Sequence, residues 1–233
     1  MLCHSSSRRK PLPLVCLHDA HNHPGDTLRA LSTAHQIIDH DPEVEISIIT
    51  DRAEIGLIGE VPGIFTSWPP CPPHWISDMS SQAPANSSTA VRGSWFLKAL
   101  GIQLSKRGCT FHLRTRVTTA SDGEVRFVGA GPMGKGAIQT DHTLDLRQAS
   151  ETSTIWHGYV CRKEDRPQTE VFGDRSDGTT EAWFSEPSEP TGTFLQEMTW
   201  HGDHPSDYIA GEIQSGIHLA QNIVDTIIHP VEQ

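Results

Sequence analysis

The pattern that most restricts the fold of this chain is an apolar strand, an amphipathic helix and a second apolar strand within the first fifty residues. Residues 14–17 (LVCL) are typical of a buried strand, and residues 45–50 (EISIIT) of a second one. Between them, apolar residues recur at the spacing of one helix face from Thr27 to Asp39. A strand–helix–strand unit of this kind pairs its strands in parallel, so we predict an α/β fold.

The segments that follow predict a second helix and then mostly strands. Residues 94–106 have a helical pattern, with Gly108 as the C-terminal glycine, and residues 110–117 (TFHLRTRV) alternate like one strand. Asp122-Gly123 predicts a hairpin turn. Residues 154–200 contain several strand-like pieces separated by polar turns, which predicts an antiparallel sheet, and residues 209–228 form the strongest amphipathic helix pattern.

Composition excludes several classes of function. The formal net charge of -11 argues against a nucleic-acid partner, because such proteins usually present a basic face. No apolar run approaches the roughly 20 residues that a membrane-spanning helix needs. The five cysteines are scattered and lack C-x-x-C spacing, which indicates a reducing, cytoplasmic location without disulfides or a thiolate zinc site. A small-molecule substrate is therefore the expected partner.

A formal G-x-G-x-x-G occurs in FVGAGPMGKG, at Gly129, Gly131 and Gly134. A dinucleotide-binding motif requires a helix directly after the glycines, because the helix N-terminus faces the pyrophosphate. Here the sequence continues as KGAIQTDHTLDL, which is a poor helix. We therefore predict that these glycines belong to a hairpin, with dinucleotide binding as the less favoured alternative.

The connection after the first strand is rich in histidine. His18, Asp19, His21 and His23 lie within six residues, and the His21-x-His23 pair resembles the opening ligand pair of metal-dependent amidohydrolases. Neutral imidazoles two residues apart can share a metal ion. That barrel fold needs eight strand–helix units, however, which a chain of 233 residues with an antiparallel middle does not supply. A metal-dependent hydrolase remains an alternative.

Two stretches together resemble the FAD-dependent oxidoreductases of the glutathione-reductase type, especially their geranylgeranyl reductase-like and flavin hydroxylase-like members. In that family an arginine opens a helix of the form R-x-x-(F/L)-x-x-x-L, and a glycine and a strand ending in valine follow. In the stretch from residue 90 to 118 the matching positions are Arg92, Phe96, Leu100, Gly108 and Val117. In the C-terminal stretch, Gly202-Asp203 resembles the late G-D motif of the family.

The resemblance implies an α/β fold with a Rossmann-like FAD-binding layer and an inserted antiparallel β-sheet substrate region. Residues 1–150 would form the FAD-binding-like region and residues 151–200 the substrate or cap region. Residues 201–233 would add a C-terminal helix that completes the FAD-binding region. The hairpin that follows the valine strand in this family coincides with GAGPMGKG, which agrees with a turn role for those glycines.

The resemblance also implies residues that contact the adenosine and phosphate part of FAD. Asp51, with Arg52 beside it, stands at the end of the second strand, where the family places the acid that binds the ribose. Arg92 would approach the phosphates or the ribose. The backbone of Val117 would pair with the adenine edge.

On the flavin side, the resemblance assigns the C-terminal stretch. Asp203 of the Gly202-Asp203 pair would hold the ribityl or pyrophosphate region. The helix that begins near Gly211 would be aimed at the pyrimidine ring of the flavin.

The implied function is that of an FAD-dependent oxidoreductase acting on a small or apolar organic substrate. The first strand–helix turn, HDAHNHPGDT, has one glycine where the family has G-x-G-x-x-G. This departure favours, as an alternative, a protein that binds a flavin or nucleotide without redox turnover.

Overall fold

A parallel four-stranded sheet forms the first layer of the computed structural model, which describes residues 14–18, 24–56, 61–121, 123–129, 134–146, 154–187 and 192–228. Its strands are β1 (Leu14–His18), β2 (Glu45–Ile49), β3 (Thr110–His112) and β7 (His142–Asp145). Their spatial order is β3-β2-β1-β7, and every pairing is parallel. The predicted α/β class is confirmed.

Three helices accompany this sheet: α1 (Pro24–His40), α2 (Gly93–Lys106) and α3 (Tyr208–Ile228). The stripe predicted for α1 is buried, with Leu28, Leu31 and Ile37 fully inaccessible to solvent. Gly108 follows α2 with a φ of +95°, the left-handed conformation expected of a C-terminal glycine.

Helices α1 and α3 pack so closely that a side chain at one position would collide. A Cβ atom built on Gly216 would lie 2.7 Å from the carbonyl oxygen of Arg29 and 2.7 Å from Cβ of Ser32. The hydroxyl of Thr33 donates to the Gly216 carbonyl at 3.1 Å. The small-residue face of α3 therefore accommodates helix α1.

An antiparallel meander connects β3 to β7 and contains the glycine motif. It consists of β4 (Thr115–Ser121), β5 (Glu124–Gly129) and β6 (Lys135–Gln139). Gly134 has a φ of +57°, and the Gly129 N–H donates to its carbonyl at 2.9 Å. A strand follows the glycines, so the hairpin is confirmed and dinucleotide binding by this loop is wrong; residues 130–133, including Gly131, and Asp122 lie outside the described residues.

The single strand predicted for residues 110–117 is wrong. Arg114 adopts a φ of +49°, which is incompatible with extended backbone. The chain therefore turns between β3 in the parallel sheet and β4 in the meander. Alternation of residue types continues across this turn, which is why the sequence pattern does not reveal it.

A second, antiparallel sheet confirms the prediction for residues 154–200. Its strands are β8 (Thr154–Arg162), β9 (Val171–Asp174), β10 (Thr179–Phe184) and β11 (Gln196–Gly202), in the order β11-β8-β10-β9. The Asp174 carbonyl accepts hydrogen bonds from the N–H groups of Thr89 and Ala90, at 2.9 and 3.0 Å. The segment that leads into α2 is therefore hydrogen-bonded to the end of β9.

A buried carboxylate connects residues 61–65, in the segment between β2 and α2, to β10. Glu181 is fully buried and accepts the Gly63 N–H at 2.7 Å. Arg175 donates to the same carboxylate through Nε and Nη2, at 3.1 and 2.6 Å, and Trp183 donates through Nε1 at 3.2 Å. A Cβ on Gly63 would lie 1.7 Å from the Val91 carbonyl oxygen, so only glycine allows this approach.

The proline-rich segment at residues 62–88 contains a 3-10 helical stretch, Pro73–Gln82, which is interrupted by non-helical backbone at Ile76 and Ser80 and contacts α1 and α2. Its Trp75 is fully buried and stacks on His35 with ring centroids 4.9 Å apart. Arg107 donates to His35 Nδ1 at 2.9 Å, so Nε2 carries the proton and donates to the Leu100 carbonyl at 3.1 Å. Burial lowers the pKa of His35 from 6.5 to about 3.

The contact between α1 and α3 predicts opposite effects for two glycine substitutions on one helix. Gly216→Ala should destabilise the protein by about 1–3 kcal/mol, because its methyl group meets backbone that cannot move freely. Gly211→Ala is the matched control: its Cβ meets nothing within 4 Å, so helix propensity should stabilise the protein by up to about 1 kcal/mol. Urea denaturation of both variants measures the difference, and equal free energies of unfolding would contradict the close packing.

The buried, neutral His35 predicts loss of stability in acid. The unfolded chain takes up the proton near pH 6.5 while the folded protein resists it down to about pH 3. The stabilisation is therefore complete above pH 6.5 and falls by about 1.4 kcal/mol per pH unit as the pH drops through that window. His35→Gln should reduce this slope in urea titrations, and the exposed His40→Gln should retain it; equal slopes in the two variants would refute the assignment.

Candidate functional site

Three of the predicted site residues lie where β2 ends and the meander begins. Asp51 and Arg52 follow β2, and the Arg52 carbonyl accepts the Arg114 N–H at 2.8 Å. Val117 on β4 is buried in a small core with Ile49, the last residue of β2. The tertiary structure therefore brings Asp51, Arg52 and Val117 to one corner of the parallel sheet.

The N-terminal turns of α1 and α3 meet in a buried ion pair that the sequence analysis missed. Arg29 donates to Glu212 through Nε at 2.8 Å and Nη2 at 3.0 Å, and its Nη1 lies 3.9 Å from Asp26. Beside them, burial and the neighbouring Glu212 carboxylate raise the pKa of Tyr208 well above its ordinary value, and Arg52 opposes this shift. Oppositely charged residues on the apolar faces of two predicted helices are the signal that could have indicated this pair.

The Gly202-Asp203 pair forms the corner between β11 and α3. A Cβ on Gly202 would lie 2.6 Å from the indole ring of Trp200, so this glycine makes room for an aromatic ring of the protein itself. The Trp200 Nε1 donates to the Asp203 carbonyl at 2.9 Å. The Asp203 side chain is exposed and available to a ligand at the positive end of α3.

Gly211 lies in α3, which begins three residues earlier, at Tyr208. It is exposed, and the space beside it is open. Its N–H donates to the Asp207 carbonyl at 2.8 Å, so this amide is already satisfied within the helix.

Arg92 stands apart from the other site residues, directly before α2. Its guanidinium lies 4.5 Å above the ring of Trp95, and its Nη2 is 3.5 Å from Oδ2 of Asp177. Its Nε is buried and has no hydrogen-bond partner in the described part of the chain. Arg92 borders a cavity of about 140 Å³ that Asp177 and Arg175 also line; the lining includes none of the other six predicted site residues.

The aromatic residues of the antiparallel sheet and of the segment before β11 differ in burial. Trp183 and Trp200 are buried in the core. Tyr159 and Phe184 are half-buried, with ring centroids 5.9 Å apart, and Phe194 lies 4.7 Å from Tyr159. Of these five residues, Tyr159, Phe184 and Phe194 have exposed surface that a ligand could contact.

The histidine-rich turn is only partly visible. The backbone of His18 ends β1, while residues 19–23, with Asp19, His21 and His23, lie outside the described residues. In the described ranges, no three His, Cys, Asp or Glu side chains are grouped as metal ligands.

Burial raises the pKa of Cys71 and Cys109 to about 12, so neither is a reactive thiolate at neutral pH. None of the helices in the described ranges has the length and apolarity of a membrane span.

Comparison with known proteins finds similarity of structure only. No protein-family model matches the sequence, and no curated protein matches it. A structure described as a flavoprotein/dehydrogenase from Cytophaga hutchinsonii superposes with a TM-score of 0.57 at 12% identity, over 92% of this chain and 78% of that chain.

Two hydroxylase structures are similar to the same extent. CabE, an aromatic hydroxylase from angucycline biosynthesis, gives a TM-score of 0.54 at 12% identity over 91% of this chain. Aklavinone-11 hydroxylase, in a ternary complex with FAD and aklavinone, gives 0.54 at 9% identity over 98%. The chain spans 62% and 64% of their respective lengths. It therefore shares its fold with structures described as a flavoprotein and as aromatic hydroxylases.

Proposed function

We propose that this chain is an FAD-dependent oxidoreductase acting on a small or apolar organic substrate. The observation that carries the proposal is the fold, which matches aromatic hydroxylases and a flavoprotein over more than nine-tenths of the chain. Among FAD-dependent oxidoreductases of the glutathione-reductase type, these structures favour the flavin hydroxylase-like members. Among apolar organic substrates, they favour an aromatic one. The shared fold by itself does not establish activity, so the site residues must support the proposal.

Several side chains fit a ligand that carries phosphates and hydroxyl groups. Arg92 has a buried Nε donor without a partner, which a phosphate oxygen would satisfy. Asp203 presents an exposed carboxylate at the N-terminus of α3, where hydroxyl groups could donate to it. Asp51 and Arg52 follow β2 at the carboxyl edge of the parallel sheet, the edge at which α/β proteins bind nucleotides.

In this proposal each residue has a limited task. Asp51 and Arg52 bind the ribose, Arg92 the phosphates, and the backbone of Val117 the adenine edge. Asp203, positioned by Gly202, orients the ribityl or pyrophosphate part, and the surface of α3 around Gly211 faces the pyrimidine ring. When bound, the flavin supplies the electron transfer, and the protein supplies orientation and exclusion of water.

The antiparallel sheet is the proposed substrate region. Residues 151–200 would cover the flavin, with residues 1–150 and 201–233 forming the binding layer. Tyr159, Phe184 and Phe194 form a partly accessible aromatic cluster on β8, β10 and the segment before β11. An apolar or aromatic substrate would gain contact area there.

A second candidate function is flavin or nucleotide binding without turnover. The observation that favours it is that HDAHNHPGDT contains a single glycine, Gly25, which lies in the first turn of α1, whereas close approach of backbone to a pyrophosphate would need more glycines. Under that function the protein would bind FAD but show no reduction by nicotinamide donors.

An absorption spectrum of the purified protein, followed by titration with FAD, tests the proposal. We expect flavin absorbance that co-purifies or saturable FAD binding, and bleaching when reduced nicotinamide and an aromatic substrate are added. Binding without bleaching by any donor would select the second candidate. A protein that stays colourless and ignores FAD would refute both.

Asp203→Ala should lower FAD affinity by about tenfold or more without loss of stability, because an exposed carboxylate contributes to ligand contacts and little to the core. The matched control is Asp225→Ala, which removes an exposed carboxylate from the distal part of the same helix. Titration of both variants with FAD, alongside thermal unfolding, gives the comparison. Equal affinities for the two variants would remove Asp203 from the site.

A further inference from the structure

Two cavities adjoin on either side of Trp95 and have opposite character. The polar cavity, of about 140 Å³, is lined by Arg92, Arg175 and Asp177 together with Ser and Gln side chains. The apolar cavity, of about 230 Å³, is lined by Met79, Ala99 and Ile102. Trp95 and Gln82 line both, so the two cavities are neighbours between α2, the 3-10 helix and the turn between β9 and β10, and together they are called the groove below.

The polar cavity contains two arginines with unused donors. Arg175 is 6% exposed and donates hydrogen bonds to Glu181 from Nε and Nη2. Its Nη1 is buried and has no hydrogen-bond partner in the described ranges. The Nε of Arg92 is buried and unpaired in the same way. Buried guanidinium donors without acceptors are rare in folded proteins, because leaving them unpaired is unfavourable. An acceptor from outside the described chain would complete both groups.

The charged groups that line this cavity favour a hydrogen-bond acceptor. Two guanidinium groups face one carboxylate, Asp177, whose Oδ1 already accepts the N–H and hydroxyl of Thr179 at 3.0 and 2.6 Å. Glu181, which neutralises part of Arg175, does not belong to the lining. With Arg175 paired to Glu181 and Arg92 to Asp177, the charges around the cavity balance, and the two unused guanidinium N–H donors are what favour an acceptor there. A carboxylate matches guanidinium donors in both charge and geometry.

The apolar cavity favours the hydrocarbon part of the same ligand. Trp95 and Ile102 are 37% and 40% exposed and lie about two turns apart on α2, near the buried Met79. At its rim Lys98 pairs with Glu54, and Asp78 pairs with Lys106. Oδ2 of Asp78 is buried without a hydrogen-bond partner in the described residues, which disfavours a second carboxylate at this end. The ligand thus has one charged end and one apolar end.

We propose that this groove binds a small amphipathic carboxylate. Its carboxylate accepts hydrogen bonds from Arg92 Nε and Arg175 Nη1, and its apolar part lies on Trp95 and Ile102. The proposal goes beyond flavin binding and shares with it only Arg92. Because the Nε of Arg92 has one hydrogen to donate, a bound carboxylate and an FAD phosphate would compete for it, so the flavin-free protein is the one to test.

Isothermal titration of the flavin-free full chain with sodium octanoate tests the proposal. We expect saturable 1:1 binding of octanoate. Octanamide, which has the same chain without the charge, should bind about tenfold more weakly or not at all, because the arginine donors prefer an ionised acceptor. Acetate, which has the charge without the chain, should also bind more weakly. Equal affinity for octanoate and octanamide, or no octanoate binding, would overturn the proposal.

Two variants locate the binding and keep the test independent of the flavin. Arg92→Gln and Ile102→Asn should each weaken octanoate binding by about tenfold, since one removes a donor and the other apolar contact. Arg126→Gln and Val128→Asn, which change exposed residues of β5, are the matched controls and should bind like the parent. If Arg92→Gln fails to fold, Ile102→Asn decides alone, because its side chain is exposed. If both variants bind octanoate like the parent, the ligand binds elsewhere and the proposal is wrong. These results are interpreted in the same way whether or not the protein binds FAD.

Discussion

The buried carboxylate of Glu181 is the interaction that fixes the segment between β2 and α2 to the antiparallel sheet. It accepts hydrogen bonds from the Gly63 N–H, from Arg175 and from Trp183, and it is fully inaccessible to solvent. Taking both charges out of water is costly, and complete hydrogen bonding of the carboxylate offsets this cost. Removing the side chain of Glu181 or of Arg175 would leave the other charge buried and uncompensated, which typically costs about 3–5 kcal/mol. The pair also holds Arg175 at the cavity beside α2, with one nitrogen still unused.

Two glycines of this protein make room for close packing, and a third supplies the backbone of a turn. Gly202 accommodates the indole ring of Trp200, and Gly216 accommodates the backbone of α1. Gly134 lies in a hairpin between two strands. A missing side chain permits close approach by any group, and here that group belongs to the protein. Flavin binding must therefore depend on side chains that can still form hydrogen bonds to a ligand, such as Asp203 and Arg92, and not on the spacing of glycines.

The proposed flavin site and the proposed carboxylate site occupy different parts of the fold. Asp51, Arg52 and Val117 gather at one corner of the parallel sheet, whereas Arg92 faces the antiparallel sheet through Asp177. Arg92 is thus the residue through which occupancy of one site can affect the other. Coupling of this kind would appear as a change in FAD affinity at saturating octanoate, and an equal change in octanoate affinity at saturating FAD.

The sequence by itself determined the α/β class, helices α1, α2 and α3, the glycine hairpin and the antiparallel sheet, because each depends on local periodicity and turn chemistry. It did not reveal the break at Arg114, since residue alternation continues through a left-handed residue. Nor did it reveal the Arg29–Glu212 pair, whose partners are 183 residues apart, or the groove beside Trp95. Only the tertiary structure decided these, because burial, pairing of charges and unused hydrogen-bond donors arise from contacts between distant segments that no local pattern encodes.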